Sequence, residues 1–445
     1  SQRELKASLV GYSNTPSIYL DGQTADRSGN FSYSIAGSIG REDYVRPSEL
    51  QQRDFDEAGR PILSRTVQKE ITEQGIRLNL TPRFKWDLSK QESLTFEALL
   101  SRHSTNGETV ESRSTAYGPL PLYANDTIKQ EIDITTLRSK LGWSRTFDND
   151  AKAEVKLGTN FGQTKGAATF LGFDDDRRIV QQQDITSLAK DKSFTLSGNY
   201  RTSFAEQHAI SIGWDGEYSQ RYEDRIQRTT AAPGYPNIDL DEIYNVHVKR
   251  IALFAQDEWD ISPKASLYWG IRWENLGTGT TGNVLEKVGN TSSVLSPVVQ
   301  AKWKLSDSKN DQVRLAISRT YKAPAIRDLN PRRFVATDNT PTTPDRQGNP
   351  DLRPELAWGL DFGYEHYFAG DAGLISSNAL LRRIDEVIIR QTSFVDNAWI
   401  SRPMNVGPAS VKSLEIEAKM RTKKLFKDWP DVDLRTNFAW NWSRL

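Results

Sequence analysis

Apolar side chains recur at every second position along most of this chain. In GNPDLRPELAWGLDFGYEHYF (348–368), Trp358, Leu360, Phe362 and Tyr364 alternate with Gly359, Asp361, Gly363 and Glu365. A period of two places alternate side chains on opposite faces of a strand. The same alternation gives Phe31, Tyr33 and Ile35; Ile76, Leu78 and Leu80; Phe84, Trp86 and Leu88; and Leu94, Phe96, Ala98 and Leu100. It returns at Val155, Leu157 and Phe161; at Ile210, Ile212 and Trp214; at Leu267, Trp269, Ile271 and Trp273; and at Val299, Ala301, Trp303 and Leu305. It closes with Leu414, Ile416, Ala418 and Met420, then Leu434, Phe438, Trp440 and Trp442. No comparable helical period is present, so the pattern predicts an all-β chain.

The connections predict the architecture. Short ones (27–30, 89–92, 148–151, 204–207, 262–265, 306–311, 369–372) alternate with long polar stretches at about 42–62, 104–128, 164–190, 223–245, 277–291, 321–355 and 392–410. Tight turns on one rim and long loops on the other are the signature of a transmembrane antiparallel β-barrel of the outer-membrane type. About 17 segments fit this scheme, each able to supply the roughly 9–11 residues of a tilted spanning strand. Pro82 interrupts one of them and is expected at a bulge.

A sheet spans hydrocarbon only if its backbone groups are paired internally. The apolar row is therefore expected to face lipid and the polar row a lumen. The polar rows carry Arg272 and Glu274, Lys302 and Lys304, and Glu415, Glu417, Lys419 and Arg421. A dry core does not accommodate that charge density, whereas a hydrated or plugged interior does. Tryptophans on these strands, often near their ends, suit interfacial girdles.

Composition narrows the function. Lys and Arg number 58, as do Asp and Glu, so charge gives no reason to expect nucleic acid. There is no cysteine, which excludes disulfides and thiolate metal sites. Mean hydropathy is −0.62, and no apolar run approaches the roughly 20 residues of a spanning helix. That excludes helical spans only, because an alternating barrel keeps its average hydropathy low. The N-terminal SQREL is not a signal peptide; it reads as a mature start or the interior of a longer precursor. Neither a Gly-x-Ser-x-Gly nor a His-x-x-x-His signature occurs, so no enzyme, cofactor or metal is expected. Asp174–Asp176 beside Arg177 and Arg178 lacks calcium-loop spacing and reads as a self-neutralising patch.

Four stretches in order resemble the barrel domain of TonB-dependent outer-membrane receptors. They are RIALFAQDEWDIS (250–262) with LYWGIRWENLG (267–277), LSPVVQAKWKL with VRLAISRTYKAPAIRDLNP (313–331), the 348–368 segment, and NVGPASVKSLEIEAKM (405–420). Ser413 stands where the family usually has Gly. The resemblance implies a barrel of about 22 strands, wide enough to need a plug. On that reading residues 1–445 form a single barrel domain, incomplete at its C-terminus, with the N-terminal plug not included. It implies active uptake of a scarce ligand, most often an iron–siderophore, in the bacterial outer membrane. The implied partners are TonB, the receptor's own plug, and membrane lipid or lipopolysaccharide. A passive, substrate-selective porin is the alternative, since it shares the alternation of loops.

Candidate ligand contacts lie in the long stretches, where Arg and aromatic side chains are favoured at binding surfaces. They are Tyr117 and Tyr123; Phe173; Arg225, Tyr235 and Tyr244; Arg332, Arg333 and Phe334; and Trp399. The 321–355 stretch exceeds the roughly 12–15 residues beyond which loops are usually functional.

Overall fold

A computed structural model describes the chain except residues 1, 12–15, 57, 236, 286, 306–309 and 337–338. Seventeen strands form one sheet, ordered along the chain: β1 (Gln2–Gly11), β2 (Pro16–Ser28), β3 (Phe31–Phe55), β4 (Pro61–Asp87), β5 (Glu92–Tyr117), β6 (Asn125–Thr146), β7 (Lys152–Phe173), β8 (Ile179–Phe204), β9 (His208–Ala231), β10 (Leu240–Ser262), β11 (Ala265–Gly282), β12 (Val288–Lys304), β13 (Asp311–Lys322), β16 (Glu355–Tyr367), β17 (Gly373–Asp385), β20 (Ala409–Arg421) and β21 (Asp433–Arg444). Each pairs antiparallel with its neighbour in this series. Four shorter strands, β14 (Arg333–Phe334), β15 (Asp345–Gln347), β18 (Ile388–Val395) and β19 (Ala398–Asn405), make a second small sheet.

The two faces divide as the alternation requires. Trp269, Trp273 and Trp303 lie on the outer wall, 45%, 39% and 62% exposed. On the opposite face of the sheet, Arg250 of β10 reaches Asp215 (3.1 Å) and Glu217 (3.2 Å) on β9 and Glu274 (3.1 Å) on β11. Arg272 joins the same network through Asp215 and Glu274. The lower rim of the outer wall is aromatic: the His208 ring stacks on Trp259 at 5.2 Å and its Nδ1 lies 2.8 Å from Asp257.

The tight turns fall where expected. The β2–β3 turn places Gly29 at φ 59°, a left-handed conformation that two-residue hairpin turns require and glycine adopts without strain. Of the 306–311 turn, residues 306–309 lie outside the described residues.

Two expectations are corrected. First, the polar stretches 42–62, 104–128, 164–190, 223–245 and 277–291 are mostly strand, so β3 to β10 run 22 to 27 residues each. Above the lipid both faces meet water, so the alternation fades while the hydrogen-bonded ladder continues. Second, Pro82 is not a bulge. The β4–β5 pairing skips Thr81 and Pro82 between Leu80↔Leu100 and Arg83↔Glu97, then resumes in the same register. The ring removes a donor without adding a residue.

The 321–355 stretch is a true connection, and it folds back onto the concave face of the sheet. Its Thr342 Oγ1 accepts a bond from Gln52 on β3 (2.9 Å), and its Leu329 carbonyl accepts one from Thr280 on β11 (3.3 Å). A segment touching strands so far apart shows that the sheet curls around it. Leu329, Leu352 and Val246 form a small buried core beneath it. The β18–β19 hairpin leaves β17 and β20 through a narrow neck, with positive φ at Glu386 and Gly407, and covers the segment from the side.

Candidate functional site

The infolded segment is pinned by a charged knot above the apolar belt. Glu223, 3% exposed, projects inward from β9. Its Oε2 accepts bonds from Asn330 Nδ2 (2.6 Å) and Arg332 Nη1 (3.0 Å). Its Oε1 accepts one from Arg221 Nε (2.6 Å), and Arg221 also pairs with Asp191 at 2.7 Å. The Arg332 guanidinium lies 3.9 Å from the ring centroid of Phe334, a cation–π contact. Sequence places these groups: Glu223 and Arg225 are two apart on β9, so both face inward, and Asn330 and Arg332 are two apart on the segment.

Electrostatics in the knot are strained by burial. Burial, and then the positive charge of Arg332, pulls Arg225 down to about 10. Burial raises the Glu242 carboxyl, with Arg332 and Arg225 opposing that rise. Tyr244 is pushed up to about 12 by burial first and by Glu242 second. Arg225 Nε, Arg332 Nε and Glu242 Oε2 lack hydrogen-bond partners. The site therefore has donors and an acceptor to spare within a desolvated wall.

A cleft of about 830 Å³ lies beside this knot, between β3–β5 and residues 334–336 and 342–346. Its walls carry Arg65, Lys69, Arg113 and Arg346 against Asp54 and Glu111, with Leu50, Val67, Phe334 and Pro344 supplying apolar surface. Lys69 and Arg113 both hold Glu111 at 2.8 Å, and Arg113 also holds Asp126 at 2.5 Å. With Arg53 also on the wall, five cations against two lining carboxylates give the cleft a positive balance.

The structure brings Arg225, Tyr244 and Arg332 together in the knot, with Phe334 bridging knot and cleft. Tyr123 and Tyr235 belong instead to a separate aromatic core with Phe170 and Val180. There the Tyr123 hydroxyl donates to Gln181, and its ring stacks on Tyr235 at 5.9 Å. Arg333 pairs with Asp345 at 2.6 Å within the small sheet. Trp399, expected outside the strands, lies on β19, where its N–H and carbonyl both engage Asn339 (2.7 and 2.8 Å). Tyr117 ends β5, exposed, and Phe173 ends β7, half-buried. Among the described residues no His, Asp and Glu group has metal-holding geometry. In the 174–178 turn, Arg178 pairs with Asp176 at 3.3 Å.

Glu223, Glu242, Asn330 and the cleft cations were not singled out by sequence. Their signal was present in Arg65, Val67 and Lys69, which continue the inward row of β4 past the end of the apolar one.

Comparisons with known proteins agree with this architecture. Residues 77–444 match the family model for the TonB dependent receptor-like β-barrel. A search by sequence among curated proteins found no match. Among solved structures, the copper transporter OprC aligns with a TM-score of 0.62 at 14% identity, over 100% of this chain and 61% of its own. The siderophore receptor PiuA from Acinetobacter baumannii aligns at 0.56 and 12% identity, over 100% and 64%. The RagAB peptide transporter aligns at 0.58 and 13%, over 96% and 51%. This chain thus spans half to two-thirds of the length of the structures it resembles. At such low identity the likeness is one of fold. With a family match across most of its length and a 17-stranded antiparallel sheet that is greasy outside and charged within, the chain belongs to the TonB-dependent receptor β-barrels of the Gram-negative outer membrane.

Proposed function

We propose that this barrel serves TonB-coupled uptake of an anionic iron chelate of the siderophore class, together with a plug and the energy-coupling protein TonB. The carrying observation is the infolded 323–354 segment, which turns an open mouth into a cleft with a positive balance. Its volume, about 830 Å³, falls within the roughly 300–1,000 Å³ of small-ligand sites. Arg346 is exposed on the segment side and Arg65, Lys69 and Arg113 line the wall side, so a carboxylate- or catecholate-bearing ligand would be gripped by both. Neighbouring folds include a receptor titled for siderophores, but also transporters titled for copper and for peptides. The chemistry of the cleft, rather than the likeness, supports the anionic class.

Growth of a receptor-deletion strain on single ferric siderophores as the iron source tests this reading. Complementation with the intact gene should restore growth on at least one anionic chelate, and an R346E form should lose it. Restoration by copper or peptide supplementation alone would refute it. A large, steadily open conductance of the intact protein in a planar bilayer would instead identify a passive porin.

A further inference from the structure

Apolar side chains return at the upper ends of β3 to β5, far from the lipid belt. On β4 the outward row runs from Ile76 through Gln74, Thr72, Glu70, Gln68, Thr66 and Ser64, all polar beyond Ile76. Past that polar stretch, Phe55 is 58% exposed, Ile62 48%, Tyr117 59% and Leu120 75%. Register gathers them at one crest: Phe55 pairs with Pro61, and Tyr117 with Ser64. At about 3.3 Å per residue and a tilt near 45°, Ile62 stands roughly 30 Å above Ile76. These residues are therefore clear of any interfacial girdle. Contiguous apolar patches in water, rimmed by polar residues, mark sites of protein contact.

The crest is a fixed surface. Arg65 Nη2 donates to the Pro119 carbonyl at 2.9 Å, and the Arg113 amide donates to the Ala124 carbonyl at 2.9 Å. Gly118 has φ 96°, and a Cβ there would overlap the Ile62 carbonyl. The 118–124 connection is thus pressed against the end of β4, with Leu120 projecting from it. At the edge, Asp56 and Arg60 neutralise each other at 2.7 Å.

We propose that this crest is the contact between two copies of the receptor in one membrane, related by a twofold axis along the membrane normal. Insertion fixes the height of the crest, so a second copy presents the same patch at the same level and in the same orientation. Four side chains offer on the order of a few hundred Å² per copy. That is below the roughly 1,200–2,000 Å² in total that freely diffusing partners bury. Two copies held in one bilayer have already given up much of the translational and rotational freedom that association costs, so a small patch suffices for them. The paired edge lets identical surfaces meet without a net charge opposing its copy, as an isologous contact requires. Tyr117 then serves this interface rather than the imported ligand.

The test places the photoreactive residue p-benzoylphenylalanine at position 117 of the intact receptor in its own outer membrane. Illumination should give an adduct of twice the receptor's mass, containing receptor peptides alone. The same probe at position 392, on the exposed β18 strand, should give no more than about a tenth of that yield. Leu120→Glu should lower the yield at position 117 about tenfold or more, because a twofold axis sets the two new carboxylates against each other. Phe55→Glu should do the same through a different strand. Heat-modifiable gel migration confirms folding of each form. Absence of the adduct, equal yields from positions 117 and 392, or a yield unmoved by both Leu120→Glu and Phe55→Glu would overturn the proposal. Capture of a different protein, or of lipid, at position 117 would overturn it as well.

Discussion

Replacing Glu223 should release the infolded segment. Its carboxylate ties β9 to Asn330 and Arg332 at 2.6 and 3.0 Å. The knot holds three guanidiniums, Arg221, Arg225 and Arg332, against three carboxylates, Asp191, Glu223 and Glu242. Glu223→Gln leaves one cation in excess in a wall where Arg332 is 6% exposed. Hydrogen bonds to charged groups contribute about 1.5–3 kcal/mol each, and breaking a buried pair costs about 3–5 kcal/mol. The apolar contacts of Leu329, Leu352 and Val246 remain, so we take about 2–4 kcal/mol as the loss in docking free energy. That corresponds to a rise in local opening of roughly thirtyfold to several hundredfold. The Asn349 amide donates to the Asp328 carbonyl within the segment at 2.6 Å, so its hydrogen exchange reports opening in which the released segment also loses its internal structure. The Arg390–Asp328 pair (3.2 Å) also joins the hairpin to the segment, but it is half exposed. Arg390→Ala should raise exchange less than about fivefold, as exposed pairs contribute at most about 1 kcal/mol. If Glu223→Gln leaves Asn349 exchange within about threefold of wild type, the knot does not hold the segment.

Three further outcomes follow from the same geometry. Gly348 has no room for a side chain: a Cβ would overlap the Asn330 carbonyl and lie 2.7 Å from that of Asp328. Gly348→Ala should therefore raise Asn349 exchange at least as much as Glu223→Gln while leaving unfolding of the barrel in denaturant unchanged. Ile271→Arg, on the lipid face, should cost about 2–4 kcal/mol in folding from urea into bilayers, whereas the lumenal Lys302→Glu should cost far less. Because burial raises the folded-state pKa of Glu242 above its ordinary 4.5, the docked mouth binds more protons than the open one. Docking should then strengthen as pH falls toward the raised value and weaken as pH rises through it. Exchange corrected for its intrinsic pH dependence should show that trend in wild type and lose it in Glu242→Gln.

The barrel was legible because lipid imposes a strict rule. Wherever hydrocarbon touches the wall, as at Leu267 to Trp273, every second residue must be apolar, and the short turns between such rows count the strands. Above the belt that constraint ends. The strand extensions around Arg225, Tyr244 and Tyr117 look like loops because water satisfies both of their faces. The candidate residues are therefore spread over different parts of the upper wall and the infolded segment. Arg225, Tyr244 and Arg332 converge because β9, β10 and the segment meet, a long-range fact no local pattern encodes. Tyr123 and Tyr235 were equally aromatic by sequence, yet they pack a core near the β6–β7 rim. Arg346 carried no local signal, since its meaning depends on Arg65 and Lys69, nearly 300 positions earlier.

The wall is uneven in height. Strands β3 to β10 run 22 to 27 residues, while β13, β16, β17 and β20 run only 12 or 13. At about 3.3 Å per residue and a tilt near 45°, the tall flank stands some tens of ångströms higher than the low one. The height difference predicts a directional approach to the mouth. Solute drifting along the cell surface meets a palisade on one side and a low sill, hooded by the β18–β19 hairpin, on the other. A bulky neighbour parked at the sill would throttle entry, whereas the same neighbour behind the palisade would not.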